Sequence, residues 1–124
     1  MSASILIVDD SPSMLMSIGI TLRATTLTVH TAESGEDALA KLQAGLKPAM
    51  MLTDLNMGEM SGIDLVRETR KLPSYAFLPI VLLTTESSQD MRNLAKSVGA
   101  TGWLTKPVES DALLRIVRKL VPTA

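Results

Sequence analysis

Five polar residues at the ends of short apolar runs carry the chemistry of this chain. The run at 5–8 ends in Asp9-Asp10, the run at 49–53 in Asp54, the run at 80–83 in Thr84, and the run at 101–105 in Lys106. If these runs are parallel strands, all of the polar ends lie on one edge of one sheet. Three carboxylates drawn together repel each other, and such a cluster persists either by protonating or by binding a cation. A cation is the better answer here. A ligand set of oxygen atoms without histidine or cysteine favours a hard ion, and Mg2+ takes one or two protein carboxylates and leaves positions for water and phosphate oxygens. A carboxylate can itself accept a phosphoryl group as an acyl phosphate. Asp54, central among the strand ends, is the candidate acceptor. The Thr84 hydroxyl and the Lys106 ammonium would each take a phosphoryl oxygen, and Lys106 would pair with the acids when no phosphoryl group is present. Drawing Thr84 toward a phosphate would empty space behind it, into which Trp103 could turn. That is a two-state element biased by a modification.

The elements that must position these residues are legible from periodicity. Between the apolar runs lie stretches whose apolar residues recur every three or four positions, and each opens with a helix-start signal. Ser11-Pro12 precedes Leu15, Ile18 and Leu22; Ser34 precedes Ala38, Leu39 and Leu42, with Gly45 closing the segment. Ser61 precedes Ile63, Leu65 and Val66 and the pattern stops before Pro73. Ser88 precedes Met91, Leu94 and Ala95 and stops at Gly99, and Ser110 precedes Leu113, Ile116, Val117 and Leu120. Five strands therefore alternate with five helices, which predicts a doubly wound α/β fold with a parallel sheet covered on both faces. The runs at Ile5, Met50 and Ile80 are continuously apolar, as central strands are, whereas 27–31 and 101–105 mix in polar residues and suit the edges. That agrees with the order 2-1-3-4-5, whose ligand-binding switch point lies between strands one and three.

Bulk composition narrows the function classes. A chain of 124 residues is expected to form one domain over 1–124 with no output domain. With 46% hydrophobic and 20% charged residues and a net charge of −1, it exerts no global pull on nucleic acid or membrane. The absence of cysteine excludes disulfides and thiol chemistry, and no run approaches membrane-spanning length or has a signal-peptide form. A cytoplasmic monomer is expected.

In this order and spacing the residues resemble the receiver domains of two-component response regulators, in particular the stand-alone, chemotaxis-type (CheY-like) members, over the whole chain. Asp9-Asp10-Ser11 looks like the family's acidic pair, and Thr53-Asp54-Leu55-Asn56-Met57 its phosphoacceptor loop with Gly62 at the expected glycine. Leu83-Thr84-Thr85 resembles its switch threonine, and Lys106-Pro107 its lysine with a peptide bond that is usually cis. The resemblance implies the flavodoxin-like (βα)5 fold and phosphoryl transfer to Asp54 from a histidine kinase. It further implies direct Mg2+ binding by Asp10, Asp54 and the Asn56 carbonyl, and a part for Asp9 acting through water. Thr84, Thr85, Lys106 and Asn56 become the phosphate-binding set, with Asn56 and Glu86 placed to tune hydrolysis. The face of helix four, strand five and helix five is then the partner surface, with a flagellar motor switch protein one possible target. Two departures stand out. Gly58 replaces the usual proline, which suggests a looser loop over 56–61, and Trp103 replaces the usual tyrosine or phenylalanine of the switch.

Bland readings remain for other residues. His30 is expected to be structural on an edge strand, Arg115, Arg118 and Lys119 a solvated helix face, and Met57, Met60 and Met91 partly exposed. Among rival functions, a phosphate sink or adaptor keeps the same family. A haloacid-dehalogenase-type phosphatase would need Asp-x-Asp where the chain has Asp9-Asp10-Ser11, and in a flavodoxin-like mononucleotide binder Asp9-Asp10 would repel the phosphate.

Overall fold

The computed structural model describes residues 3–86 and 88–124. Five strands, β1 (Ser4–Val8), β2 (Thr28–Ala32), β3 (Met50–Asp54), β4 (Ile80–Thr84) and β5 (Gly102–Thr105), form one sheet in the order β2-β1-β3-β4-β5, every pair parallel. The helices α1 (Pro12–Leu22), α2 (Gly35–Gln43), α3 (Gly62–Arg70), α4 (Gln89–Val98) and α5 (Ser110–Leu120) complete the alternation. This is the doubly wound architecture that the periodicity predicts and the flavodoxin-like fold that the resemblance implies. All five residues of β3 and of β4 are buried, whereas β2 and β5 are largely half-exposed, as edge strands should be.

Because successive strand residues point to opposite faces, the sheet divides the core into two halves. Leu6, Val8, Met51, Ile80 and Leu82 pack with α2, α3 and Ala95 of α4 on one face, while Ile5, Ile7, Met50, Leu52, Val81 and Leu83 pack with α1 and α5 on the other. Burying a side chain of this size contributes about 1.5–3 kcal/mol, so these central strands are the rigid base on which the carboxyl edge is held.

Four serines act as N-caps as expected: the hydroxyls of Ser11, Ser34, Ser61 and Ser88 accept from the amides of Met14, Asp37, Asp64 and Met91. At Ser61 the Asp64 carboxylate also accepts from the Ser61 amide, closing a capping box. The fifth helix differs. Glu109 is its cap residue without a side-chain bond, and Ser110 is the first helical residue, its hydroxyl turned toward Thr21 Oγ1 at 3.3 Å. A short 3-10 turn (Pro73–Tyr75) follows α3, which periodicity does not reveal. His30 is half-buried on edge strand β2, and Arg115, Arg118 and Lys119 are exposed on α5. Met60 and Met91 are partly exposed, but Met57 is buried, its sulfur 3.9 Å from the Thr53 hydroxyl.

Candidate functional site

The parallel order delivers the polar strand ends to one edge, and extra backbone bonds beyond the ladder fix each one. The Asp9 amide donates to the Ala32 carbonyl at 3.1 Å, the Leu55 amide after Asp54 to Leu83 at 3.0 Å, and the Lys106 amide to Thr84 at 2.8 Å. Oxygens of Asp9, Asp10 and Asp54 consequently lie within 4.8 Å of one another. Asp9 and Asp54 are buried and Asp10 is exposed. Lys106 reaches into the cluster, donating from Nζ to Asp54 Oδ1 at 2.9 Å and standing 3.7 Å from Asp9 Oδ2.

Burial pushes the Asp9 carboxyl above its ordinary pKa, because taking the charge out of water is costly. The Ser11 amide, donating to Oδ1 at 2.9 Å, works against this. Asp54 adds repulsion, Lys106 offsets some of it, and Asp10 adds a little more. Asp9 Oδ2 is buried and makes no hydrogen bond. An unpartnered buried carboxylate oxygen beside two further carboxylates, with no nitrogen or sulfur ligand in the set, fits a hard divalent cation. The donor set therefore suits Mg2+.

Thr84 is buried at the end of β4, where its hydroxyl accepts from the Glu86 amide at 3.0 Å. As an acceptor in that bond, it retains its own proton to donate. Thr85 and Asn56 are exposed beside the cluster in sequence. Trp103 is half-buried, packed against the core half that contains Ala95, with its indole Nε1 shielded and without an acceptor. Gly58 takes φ +55°, a left-handed backbone that proline, locked near −65°, cannot adopt. The loop after Asp54 thus has its own conformation here, anchored by buried Met57 and the Ser61 cap. The Lys106-Pro107 peptide is cis.

Two features of the site escape a reading by strand ends alone. A Cβ on Gly62 would overlap the Asp54 carbonyl oxygen and lie 3.0 Å from Leu55 Cα, so only glycine lets α3 start this close to the loop after Asp54. Beside Asp10, a cavity of about 360 Å3 is lined by Glu33, Glu36, Glu59 and Gly58 among others. These acids follow strands two and three at the same carboxyl edge, and that shared position was the signal for them. Together with the cluster they form an acidic rim that raises the local concentration of cations.

Comparison with known proteins decides the family. A model of the response regulator receiver domain matches residues 5–118. The chain belongs to the response regulator receiver family. Receiver domains of this family are signalling modules that take a phosphoryl group from histidine kinases and bind Mg2+ at an acidic pocket. The chain is 36% identical over 110 residues to chemotaxis protein CheY1 of Helicobacter pylori, covering 88% of this receiver and 89% of that protein. It is also 36% identical over 115 residues to transcriptional regulatory protein GlrR of Escherichia coli, covering 93% of this receiver but only 25% of that one. The receiver thus spans about a quarter of the length of GlrR. In structure it is similar to chemotaxis protein CheY4 of Vibrio cholerae, with a TM-score of 0.91, 38% identity, and coverage of 97% and 99% of the two chains. This is a CheY-like receiver. No helix among its described residues is long and apolar enough to cross a membrane.

Proposed function

We propose that this chain works as a CheY-like response regulator receiver in a chemotaxis-type two-component relay. Asp54 is its phosphoacceptor. The observation that carries this reading is the Lys106 ammonium held at 2.9 Å from Asp54 beside the unpartnered, buried Asp9 Oδ2. One acceptor carboxylate is pre-paired with a cation that can pass to a phosphoryl oxygen, and a neighbouring oxygen is left for a metal.

In the transfer step an Asp54 carboxylate oxygen bonds phosphorus while the P–N bond of the donor phosphohistidine breaks, and the imidazole nitrogen keeps the electron pair. Asp10, Asp54 and the Asn56 carbonyl would hold Mg2+, with Asp9 acting through water. When bound, the ion supplies positive charge against the phosphoryl oxygens. Lys106 and the Thr84 hydroxyl take the remaining phosphoryl oxygens, with Thr85 and Asn56 at the rim. Asn56 and Glu86, two residues beyond Asp54 and Thr84, would admit or exclude the water that hydrolyses the acyl phosphate. Thr84 is adjacent in the ladder to Thr105, two residues beyond Trp103, which supports a route from phosphate to the face formed by α4, β5 and α5. That face is the partner surface. The protein acts as a cytoplasmic monomer that binds a phosphorylation-dependent target, for which a flagellar motor switch protein is one candidate.

Mg2+ and acetyl phosphate should add one phosphoryl group by mass spectrometry, and Asp54→Asn should abolish it; label retained in that variant overturns the assignment. Pull-downs with and without beryllofluoride separate the outputs. Enrichment of a motor component supports motor control, whereas enrichment of kinases alone supports the phosphate sink.

A further inference from the structure

Helix α3 connects the acceptor loop to the far end of α4 through close backbone contacts. At its start the Gly62 amide donates to the Leu55 carbonyl at 2.8 Å, and the Gly62 backbone lies directly against Asp54 and Leu55. At its end the Arg70 guanidinium closes a fork: Nε and Nη2 both donate to the Gly99 carbonyl, at 3.1 and 2.8 Å, and Nη1 donates to the Tyr75 carbonyl at 2.8 Å. Gly99 is the C-cap of α4 with φ +104°, and a Cβ there would sit 3.0 Å from Arg70 Nε. Between these ends α3 buries Ile63, Leu65, Val66 and Thr69 and is capped by the Ser61–Asp64 box, so it is held along its whole length.

Helix α4 is held quite differently. Only Ala95 of it is buried, and its first turn is exposed apart from half-buried Met91. The guanidinium at its C-cap carbonyl therefore fixes where the α4–β5 junction sits. Burial lowers the Arg70 pKa from its ordinary value, the mark of a group taken out of water to make these bonds. A planar fork fixes orientation as well as distance, which an ammonium cannot do. Just beyond the junction lies a groove of about 220 Å3 lined by Arg92, Ala95, Lys96, Thr101, Gly102 and Trp103, on the proposed partner surface.

We propose that Arg70 is a positioning residue that couples the acceptor loop, through α3, to the α4–β5 junction and its groove, by a route separate from Thr84. A displacement of the loop at Asp54 and Leu55 moves the start of α3. The rigid helix carries it to Arg70, and the fork transfers it to Gly99. The inference rests on the phosphoacceptor reading for its biological trigger, but the mechanical link itself does not.

Amide hydrogen exchange at Gly99, Ala100 and Thr101 reads the junction, since these amides are bonded to Lys96, Ala95 and Ile80. The full chain is measured with and without Mg2+ and beryllofluoride, as wild type, Thr84→Ala, Arg70→Lys, Arg70→Met and the Thr84→Ala/Arg70→Met double variant. Thr84→Ala should keep part of the ligand response, each Arg70 variant should lower it by about threefold, and the double variant should lose it. A merely structural role for Arg70 would raise baseline exchange but leave the ratio with and without ligand intact. The rate of phosphorylation by acetyl phosphate should be unchanged in the Arg70 variants. A wild-type ratio in Arg70→Met, or complete loss in Thr84→Ala alone, overturns the proposal. A ligand-free arm uses Gly62→Ala, which pushes on the start of α3. It should alter exchange at 99–101 when Arg70 is present and not in Arg70→Met, and equal effects in both backgrounds would also overturn the link. Failure of Asp54 to take beryllofluoride would count against the functional reading, with the Gly62→Ala arm still deciding the link.

Discussion

Replacing Asp9 by asparagine should stabilise the protein in the absence of Mg2+ while weakening its response to the ion. With the oxygens within 4.8 Å, repulsion between Asp9 and Asp54 is at least about 3.5 kcal/mol at an effective dielectric of about 20. Attraction of Asp9 to Lys106 at 3.7 Å is about 4.5 kcal/mol on the same scale. These nearly cancel, so the cost of burying the carboxylate decides the sign, in keeping with burial as the leading cause of its raised pKa. Asparagine keeps an oxygen for the Ser11 amide and removes the charge. A net gain of about 1–2 kcal/mol is expected near neutral pH, or about 4–8 °C in Tm. The pH dependence has a definite direction. Asp9 is an acid whose folded-state pKa lies above its ordinary 3.8, so the native state holds a proton that the unfolded chain has released. Its contribution to stability falls as pH rises from 3.8 through the folded-state value. The advantage of Asp9→Asn should therefore grow across that window and vanish below it. Thermal unfolding in EDTA over a pH series measures this, and a Mg2+ titration of Tm should show affinity reduced by about tenfold. A variant that melts below the parent in EDTA near neutral pH, or one with unchanged Mg2+ affinity, would refute the reasoning.

Two further outcomes follow from the backbone and the far edge of the sheet. Gly58→Pro, although it restores the residue usual in the family, should destabilise the protein by about 1–3 kcal/mol and lower Mg2+ affinity, because proline cannot take φ +55°; denaturant unfolding with and without Mg2+ checks both. Tyr75→Phe should cost about 1–2 kcal/mol in urea unfolding, since the hydroxyl lies 2.8 and 2.6 Å from the carbonyls of Leu42 and Leu46 and shares its proton between them.

The sheet order was readable because burial leaves a compositional trace: Met50–Asp54 and Ile80–Thr84 are shielded on both faces and largely apolar, whereas β2 and β5 carry polar and half-exposed positions. The convergence of Asp9, Asp10, Asp54 and Lys106 then followed from topology, since parallel strands end on one edge. Helix starts at Ser11, Ser34, Ser61 and Ser88 were legible because a hydroxyl cap is a local interaction. Ser110 misled because Glu109 takes the cap position and leaves the serine inside the helix. What remained hidden depends on distances between segments remote in sequence. The contact of Gly62 with Asp54, the fork from Arg70 to Gly99 and the burial of Met57 have no periodicity to announce them. The left-handed turn at Gly58 was hidden for a different reason, because glycine accepts many conformations and does not say which one is used.

The sheet order also dictates a sequence of events during synthesis. β1 leaves the ribosome first, yet it lies between β2 and β3, and β3 in turn must wait for β4 to cover its other side. No hairpin can form early, because every pairing is parallel and spans a crossover helix. Asp9 and Asp10 are thus made well before the partners that complete their site. A nascent chain halted before β3 would carry the acidic pair without its acceptor, and one halted before β5 would hold the three aspartates without Lys106. On the proposed reading, competence to accept a phosphoryl group is therefore among the last properties these residues acquire.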